Sequence, residues 1–244
     1  MDTGYGARYR DLFERHWWWR AREQVILATL EAHRPAEGYR AVLDIGCGDG
    51  LFFDRLLQIP GVSHVEGVEP AESLVSPDGR HRASITIAPF DQSFDPHHQY
   101  SAILMLDVLE HLPDPGGALR HALSLLEPGG IILATVPAFM ALWTRHDELN
   151  HHYTRYSKRS LGALAGAAGM RVDAMRYFFR WTAVAKLATR LMEALAYGQP
   201  GNPEVPPAPV NRVLYGLSRV EERLIGGLQV PFGSSLLIVG GSPR

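Results

Sequence analysis

The residues with the strongest chemical character are Asp44, Gly46, Cys47, Gly48, Asp49 and Gly50, in the run Val42-Leu43-Asp44-Ile45-Gly46-Cys47-Gly48-Asp49-Gly50. Glycine lets a backbone turn sharply and lets a ligand come against the main chain. A helix that follows such a bend offers free N–H groups. The spacing is Gly-x-Gly-x-Gly, shorter than the Gly-x-Gly-x-x-Gly bend that seats a pyrophosphate. Asp44 and Asp49 are poor neighbours for a diphosphate. They suit a nucleoside that carries an ammonium and a sulfonium, and S-adenosylmethionine is such a ligand. Glu69 lies 25 residues after Asp44, at the end of the next apolar run. A carboxylate there can accept hydrogen bonds from both ribose hydroxyls.

Three further groups could do chemistry. Asp107, Glu110 and His111 stand at i, i+3 and i+4, so a helix would put them on one face. Imidazole titrates near neutrality, which makes His111 a candidate base. The second group is Arg145-His146-Asp147-Glu148 with His151-His152-Tyr153-Thr154-Arg155-Tyr156. It offers a base in His146, an orienting carboxylate in Asp147 and acceptor-binding groups in His152, Tyr153, Arg155 and Tyr156. The third is His16-Trp17-Trp18-Trp19-Arg20-Ala21-Arg22. Successive residues on a helix point about 100° apart, so three tandem tryptophans cannot share one core.

The elements that position these residues follow from apolar periodicity. Residues 8–33 read as a helix stopped by Pro35 and Gly38. Short apolar runs at 41–45, 65–68, 83–87, 101–106 and 131–136 read as strands, with helical patterns at 51–59 and around Leu119, Ala122, Leu123 and Leu126. Alternating strands and helices give βαβ units and a mainly parallel sheet. Ligands bind beyond the carboxyl ends of such strands, which selects loops 46–50, 69–72, 88–91, 107–111 and 137–156. Further on, 157–168 reads as a helix, 171–179 as a strand, the stripe from Trp181 to Leu195 as a helix and Val210–Leu228 as another, with 235–239 as a last strand. Five prolines and two glycines make 198–209 a stiff linker. The two helical stripes suit core packing, an apolar acceptor pocket, a homodimer face or peripheral membrane contact.

Leu43–Gly50 resembles motif I of class I S-adenosylmethionine-dependent methyltransferases. Val68-Glu69-Pro70 sits where their ribose-binding acid ends the second strand. Leu106-Asp107-Val108-Leu109-Glu110-His111-Leu112 is similar to the segment after strand four in the ubiquinone- and menaquinone-biosynthesis branch, and Leu126-Glu127-Pro128-Gly129-Gly130 to the turn before strand five. The resemblance implies a Rossmann-like, doubly wound, mostly parallel sheet of seven strands in the order 3-2-1-4-5-7-6, with strand seven antiparallel. It implies that Leu106 and Asp107 line the cofactor pocket, that Phe90 stacks on adenine and that Asp91 accepts from its amino group. It further implies that the N-terminal helix is a lid from which Arg20, or else Arg22, reaches the methionyl carboxylate. In some similar quinone O-methyltransferases an acidic/Glu/His set binds a divalent cation. Here the first position is Asp107 rather than Glu, and no metal is expected. Strands six and seven of the family form a close hairpin, whereas about fifty residues, 180–231, intervene here.

The expected layout is one methyltransferase domain over 1–244: a helical lid to residue 38, a core over 39–179, a helical insertion over 180–231 and a last strand from 232. The expected reaction is in-line methyl transfer to a small-molecule or lipid-like acceptor, at oxygen, with His111, His146 and Asp147 as catalytic groups. A nicotinamide-dependent oxidoreductase and a non-catalytic cofactor-binding protein at a membrane surface are the alternatives. A formal charge of −2 favours no nucleic-acid partner. A lone cysteine and the lack of an apolar N-terminal run favour a reducing, cytoplasmic setting. The charge-free stretches at 128–144 and 224–242 are broken by prolines and glycines, unlike a bilayer-spanning helix.

Overall fold

The computed structural model describes residues 4–195 and 204–243. Among them, seven strands form one sheet: β1 (Ala41–Ile45), β2 (His64–Glu69), β3 (Ile85–Ile87), β4 (Tyr100–Leu106), β5 (Leu126–Pro137), β6 (Arg171–Phe178) and β7 (Ser235–Gly241). The order is β3-β2-β1-β4-β5-β7-β6, as the resemblance implies. β1 to β5 pair in parallel, and β7 runs antiparallel between β5 and β6. Both faces of the central strands are covered, so they carry continuous apolar runs rather than alternation. Leu43, Ile45, Ile103, Met105, Ile132 and Ala134 pack under α4 (Pro115–Ser124) and α6 (Lys158–Ala167). Val42, Ala102, Leu104 and Leu133 face the other way, toward Ile26, Leu30 and Phe53.

The single N-terminal helix expected over 8–33 is two helices, α1 (Gly4–Arg15) and α2 (Trp17–Ala32). His16 breaks the run: its backbone is extended and its Nδ1 accepts from Trp18 N at 3.1 Å, capping α2. The helix expected over 51–59 shrinks to α3 (Phe53–Leu56). Pro60 disfavours a helical conformation at the residue before it. The helix expected to align Asp107, Glu110 and His111 is also absent. Asp107 adopts a left-handed backbone (φ +58°), and only a single 3-10 turn, Leu109–His111, follows.

Between β6 and β7 lie α7 (Arg180–Leu195) and α8 (Ala208–Ile225); residues 196–203, which include the first half of the proline-rich linker, fall outside the described residues. Glu221 of α8 accepts from the backbone N–H of Arg180 and of Trp181, both at 2.8 Å, so one helix caps the start of the other. α8 also docks on the N-terminal helices. Asn211 accepts from Trp17 N at 2.8 Å and donates to Arg15 O at 2.7 Å, and Arg219 donates to Gln24 at 2.6 Å. No helix among the described residues is long and apolar enough to cross a membrane.

Candidate active site

The bend after β1 carries three left-handed glycines: Gly46 (φ +73°), Gly48 (φ +54°) and Gly50 (φ +66°). Gly46 has a second constraint, since a Cβ there would lie 2.8 Å from Val108 Cγ2. The bend therefore packs directly on the segment after β4. Glu69, at the end of β2, is buried and accepts from Gly48 N at 3.0 Å and Ala71 N at 2.9 Å. A carboxylate has about four acceptor positions, so two remain for a ligand's hydroxyls. Burial raises the Glu69 pKa against the pull of those N–H groups. Asp44 lies inside the same wall. Burial pushes its carboxyl up to about 7, Arg22 opposing and Glu69 adding to the shift.

α1 and α2 lie over this bend. Arg10 pairs with Asp49, Tyr9 approaches Gly48, and Arg22 reaches Asp107 at 2.8 Å. Asp107 also accepts from the Thr135 hydroxyl at 3.0 Å. The cavity between lid and bend, walled by Trp19, Arg22, Asp44, Gly46, Cys47 and Leu106, measures about 30 Å³. A second cavity, of about 750 Å³ and lined by Arg10, Arg20, Asp49, Gly50 and Tyr215, adjoins the same bend and falls within the ~300–1,000 Å³ range of small-molecule pockets. The residues fit an S-adenosylmethionine-type ligand on two counts. The Glu23 and Asp44 carboxylates wall the cavity, where an ammonium or a sulfonium would be favoured, and Arg22 Nε is buried without a partner beside them. The tandem tryptophans divide as helical geometry demands. Trp17 stacks on Trp181 (5.1 Å) and Trp18 on Phe179 (5.8 Å), while Trp19 faces the cavity.

Beside Asp107, the loops after β4 and β5 bring imidazoles together. Asp147, in the short α5 (Arg145–Leu149), is fully buried. It accepts from Arg155 at 2.8 and 2.9 Å and from His152 Nδ1 at 2.8 Å. Against burial, which pushes it up, the hydrogen bonds from His152 and Arg155 hold its carboxyl well below the usual range. With Nδ1 held by Asp147, His152 presents Nε2, and its ring meets His111 edge-on at 4.6 Å. Glu110 is 1% exposed, its Oε2 lacks a partner, and burial with Asp107 nearby raises its pKa strongly. Ligand atoms of Glu110, His111 and His152 lie within 4.8 Å of one another. Asp107 turns to Arg22 instead of joining them.

The expectation that Asp147 orients His146 is corrected: its partner is His152. His146 contacts Asn150, and partial burial with Lys186 nearby pushes its pKa down to about 4. Phe90 packs on His121 (5.0 Å) and Phe94 (5.6 Å), and exposed Asp91 accepts from the Ser93 backbone N–H (2.8 Å) and hydroxyl (2.6 Å). Arg20 stacks on Tyr215 of α8 at 4.5 Å and lines the larger cavity with Asp49 and Gly50, whereas Arg22 lines the smaller one with Asp44 and Gly46. Cys47 is buried, its thiol pushed up by burial and by Asp44. Lys186 of α7 carries no motif that marked it in the sequence. Burial and Arg155 push its ammonium down to about 8, with Asp147 and Asp107 pulling the other way.

Comparison with known proteins places this geometry. A methyltransferase-domain family profile matches residues 11–174. The chain is similar to the ubiquinone biosynthesis O-methyltransferase of Neisseria meningitidis serogroup C, 24% identical over 148 residues, or 54% of this chain and 61% of that one. The corresponding protein of Xanthomonas axonopodis pv. citri is 28% identical over 196 residues, 71% and 81% of the two chains. The chain thus spans about three fifths of the first relative's length. Among solved structures, a Haloferax volcanii complex between the Trm112 methyltransferase activator and a methyltransferase superposes with a TM-score of 0.62 at 21% identity, over 99% of this chain and 95% of that one. A S-adenosylmethionine-dependent methyltransferase from Archaeoglobus fulgidus gives 0.53 at 19% identity, over 89% and 93%. The glycine bend, the acid after β2 and the sheet order agree with the matched family: the chain belongs to the methyltransferase-domain family and is a class I S-adenosylmethionine-dependent methyltransferase related to the ubiquinone-biosynthesis branch.

Proposed function

We propose that the protein transfers a methyl group to the oxygen of a small-molecule or lipid-like acceptor. The observation that carries this reading is the His152–Asp147 pair, set against His111 in the loops that follow β4 and β5. S-adenosylmethionine supplies an already activated methyl group on its sulfonium. The chain's own residues have to hold the acceptor in line, exclude water and receive one proton. As the O–C bond forms, the methyl group's bond to sulfur would break and its electron pair would stay on the departing thioether, while the acceptor's O–H proton would go to Nε2 of His152 or to His111. Asp147 holds His152 in the tautomer with a free Nε2. His146, with its pKa near 4, is too weak a base to match a near-neutral task.

In this reading Gly46, Cys47, Gly48 and Gly50 shape the cofactor bend, Asp44 faces the ammonium and Glu69 takes the ribose hydroxyls. Leu106 and Asp107 wall the pocket, and Arg22 rather than Arg20 meets the methionyl carboxylate. Residues 1–38 act as the lid, 39–179 as the core and 180–231 as the helical insertion, within one domain. The apolar face Val213, Leu217, Val220 and Leu224 on α8 is exposed, which supports an acceptor with a lipid-like part. The ubiquinone-biosynthesis relatives support a phenolic acceptor. A screen with labelled methyl donor against quinone-like phenols, sugars, lipids and amines tests the reading. Label in a phenol or another hydroxyl acceptor is expected, with kcat falling about 10²-fold or more in His152→Ala or His111→Ala and little changed in His146→Ala. Label in amines alone, or full kcat in both of the first two variants, contradicts it.

A further inference from the structure

At the opposite end of the sheet, away from the cofactor bend, His64 opens β2 and Tyr100 opens β4. His64 Nε2 lies 2.7 Å from Glu66 Oε1, and His98 Nε2 lies 3.3 Å from Glu66 Oε2. The ligand atoms of all three residues fall within 4.8 Å of one another. Two of the three are held from behind. His98 Nδ1 is 2.8 Å from Pro96 O, and the Tyr100 hydroxyl donates to Glu66 Oε2 at 2.6 Å. A carbonyl can only accept, so His98 carries its proton on Nδ1. Its neutral form then turns an Nε2 lone pair toward a carboxylate oxygen, which is repulsive. A cation bound between them would accept both lone pairs. Metal-ligating histidines characteristically give their other N–H to a backbone carbonyl, and ligating carboxylates are themselves hydrogen-bonded.

We propose that His64, Glu66 and His98 form a binding site for a divalent transition metal of zinc's character. Two imidazoles and one carboxylate are the donor set that such an ion takes in place of magnesium or calcium, which prefer all-oxygen shells. The half-exposed setting, with His64 51% and His98 41% exposed, leaves room for water to complete the coordination shell. The ion would tie the loop before β4 to the start of β2. The site is independent of the methyl-transfer reading, since none of its residues belongs to the candidate active site.

The test is titration of zinc chloride into the full chain at pH 8, followed by competition with a chromophoric chelator. The protein carries His111→Ala and His152→Ala, so that the imidazoles of the active-site loops do not compete. One zinc per chain is expected, with affinity falling about tenfold or more on adding His98→Ala, His64→Ala or Glu66→Gln. Zinc should also shift the imidazole NMR signals of His64 and His98 in the unsubstituted chain, a readout that needs no variant to fold. Failure to bind zinc, unchanged affinity in the His98→Ala background, or unmoved His64 and His98 signals overturns the proposal.

Discussion

Asp44 is buried with its carboxyl pushed up to about 7, so the ligand-free protein holds a proton there that an unfolded chain would release near pH ~4. The folded state binds more protons across that interval, and this group's contribution to stability falls as pH rises from about 4 to about 7. An ammonium beside Asp44 favours the carboxylate. Cofactor binding should therefore release a proton, and affinity should rise between about pH 6 and about pH 8. Calorimetry in buffers of differing ionisation enthalpy reads this directly. Asp44→Asn should abolish the proton release; a wild type that releases none contradicts the assignment. The three-glycine bend after β1 and the buried acid at the end of β2 were legible in the sequence because they are local: a strand end, glycines and an acid at set spacing. The Asp147–His152 and Arg22–Asp107 pairs were not. Asp147 could have oriented either His146 or His152, and only the path of the loop through Arg155 decides. Lys186 gave no signal at all, because its environment is assembled from Arg155 and Asp147 on other elements.

At the level of elements, the N-terminal helices are tied to the core beside the glycine bend through the Arg10–Asp49 and Arg22–Asp107 pairs. Arg10 is 47% exposed, and exposed pairs contribute only ~0–1 kcal/mol. If the pair breaks before the ligand enters, Arg10→Ala should speed S-adenosylhomocysteine association up to about fivefold. Stopped-flow tryptophan fluorescence measures this, with Trp19 facing the cavity as the reporter. An unchanged association rate would mean that α1 does not gate the site. The break at His16 was not legible in the sequence, because apolar periodicity runs through it. The short turn at 109–111 was hidden likewise, since helical spacing survives on paper while Asp107's left-handed backbone removes the helix.

On the scale of the whole molecule, the parallel sheet was readable because its central strands carry apolar runs, 102–106 in β4 and 131–134 in β5, between turn signals. The gap that holds α7 and α8 was readable, but not the docking of α8 onto the N-terminal helices through Asn211 and Arg219, nor its capping of α7 through Glu221. Close packing of β2 beneath the cofactor bend makes its own demand. A Cβ at Gly67 would collide with Cys47 Sγ and meet the Phe53 ring at 2.7 Å. Gly67→Ala should cost about 1–3 kcal/mol, lowering Tm by roughly 2–4 °C per kcal/mol for a chain of this size. Differential scanning calorimetry checks it, and an unchanged Tm would show that the bend yields at no cost.

The claim on which the rest stands is that this acidic three-glycine bend, with Glu69 behind it, holds a sulfonium nucleoside rather than a dinucleotide. Titrating S-adenosylhomocysteine and NAD into the unsubstituted protein and into Glu69→Gln tests it most directly. The account predicts saturable binding of the homocysteine nucleoside, weakened about tenfold or more by Glu69→Gln through loss of a charged acceptor, and none of NAD. Binding of NAD instead, or nucleoside affinity indifferent to residue 69, would contradict it.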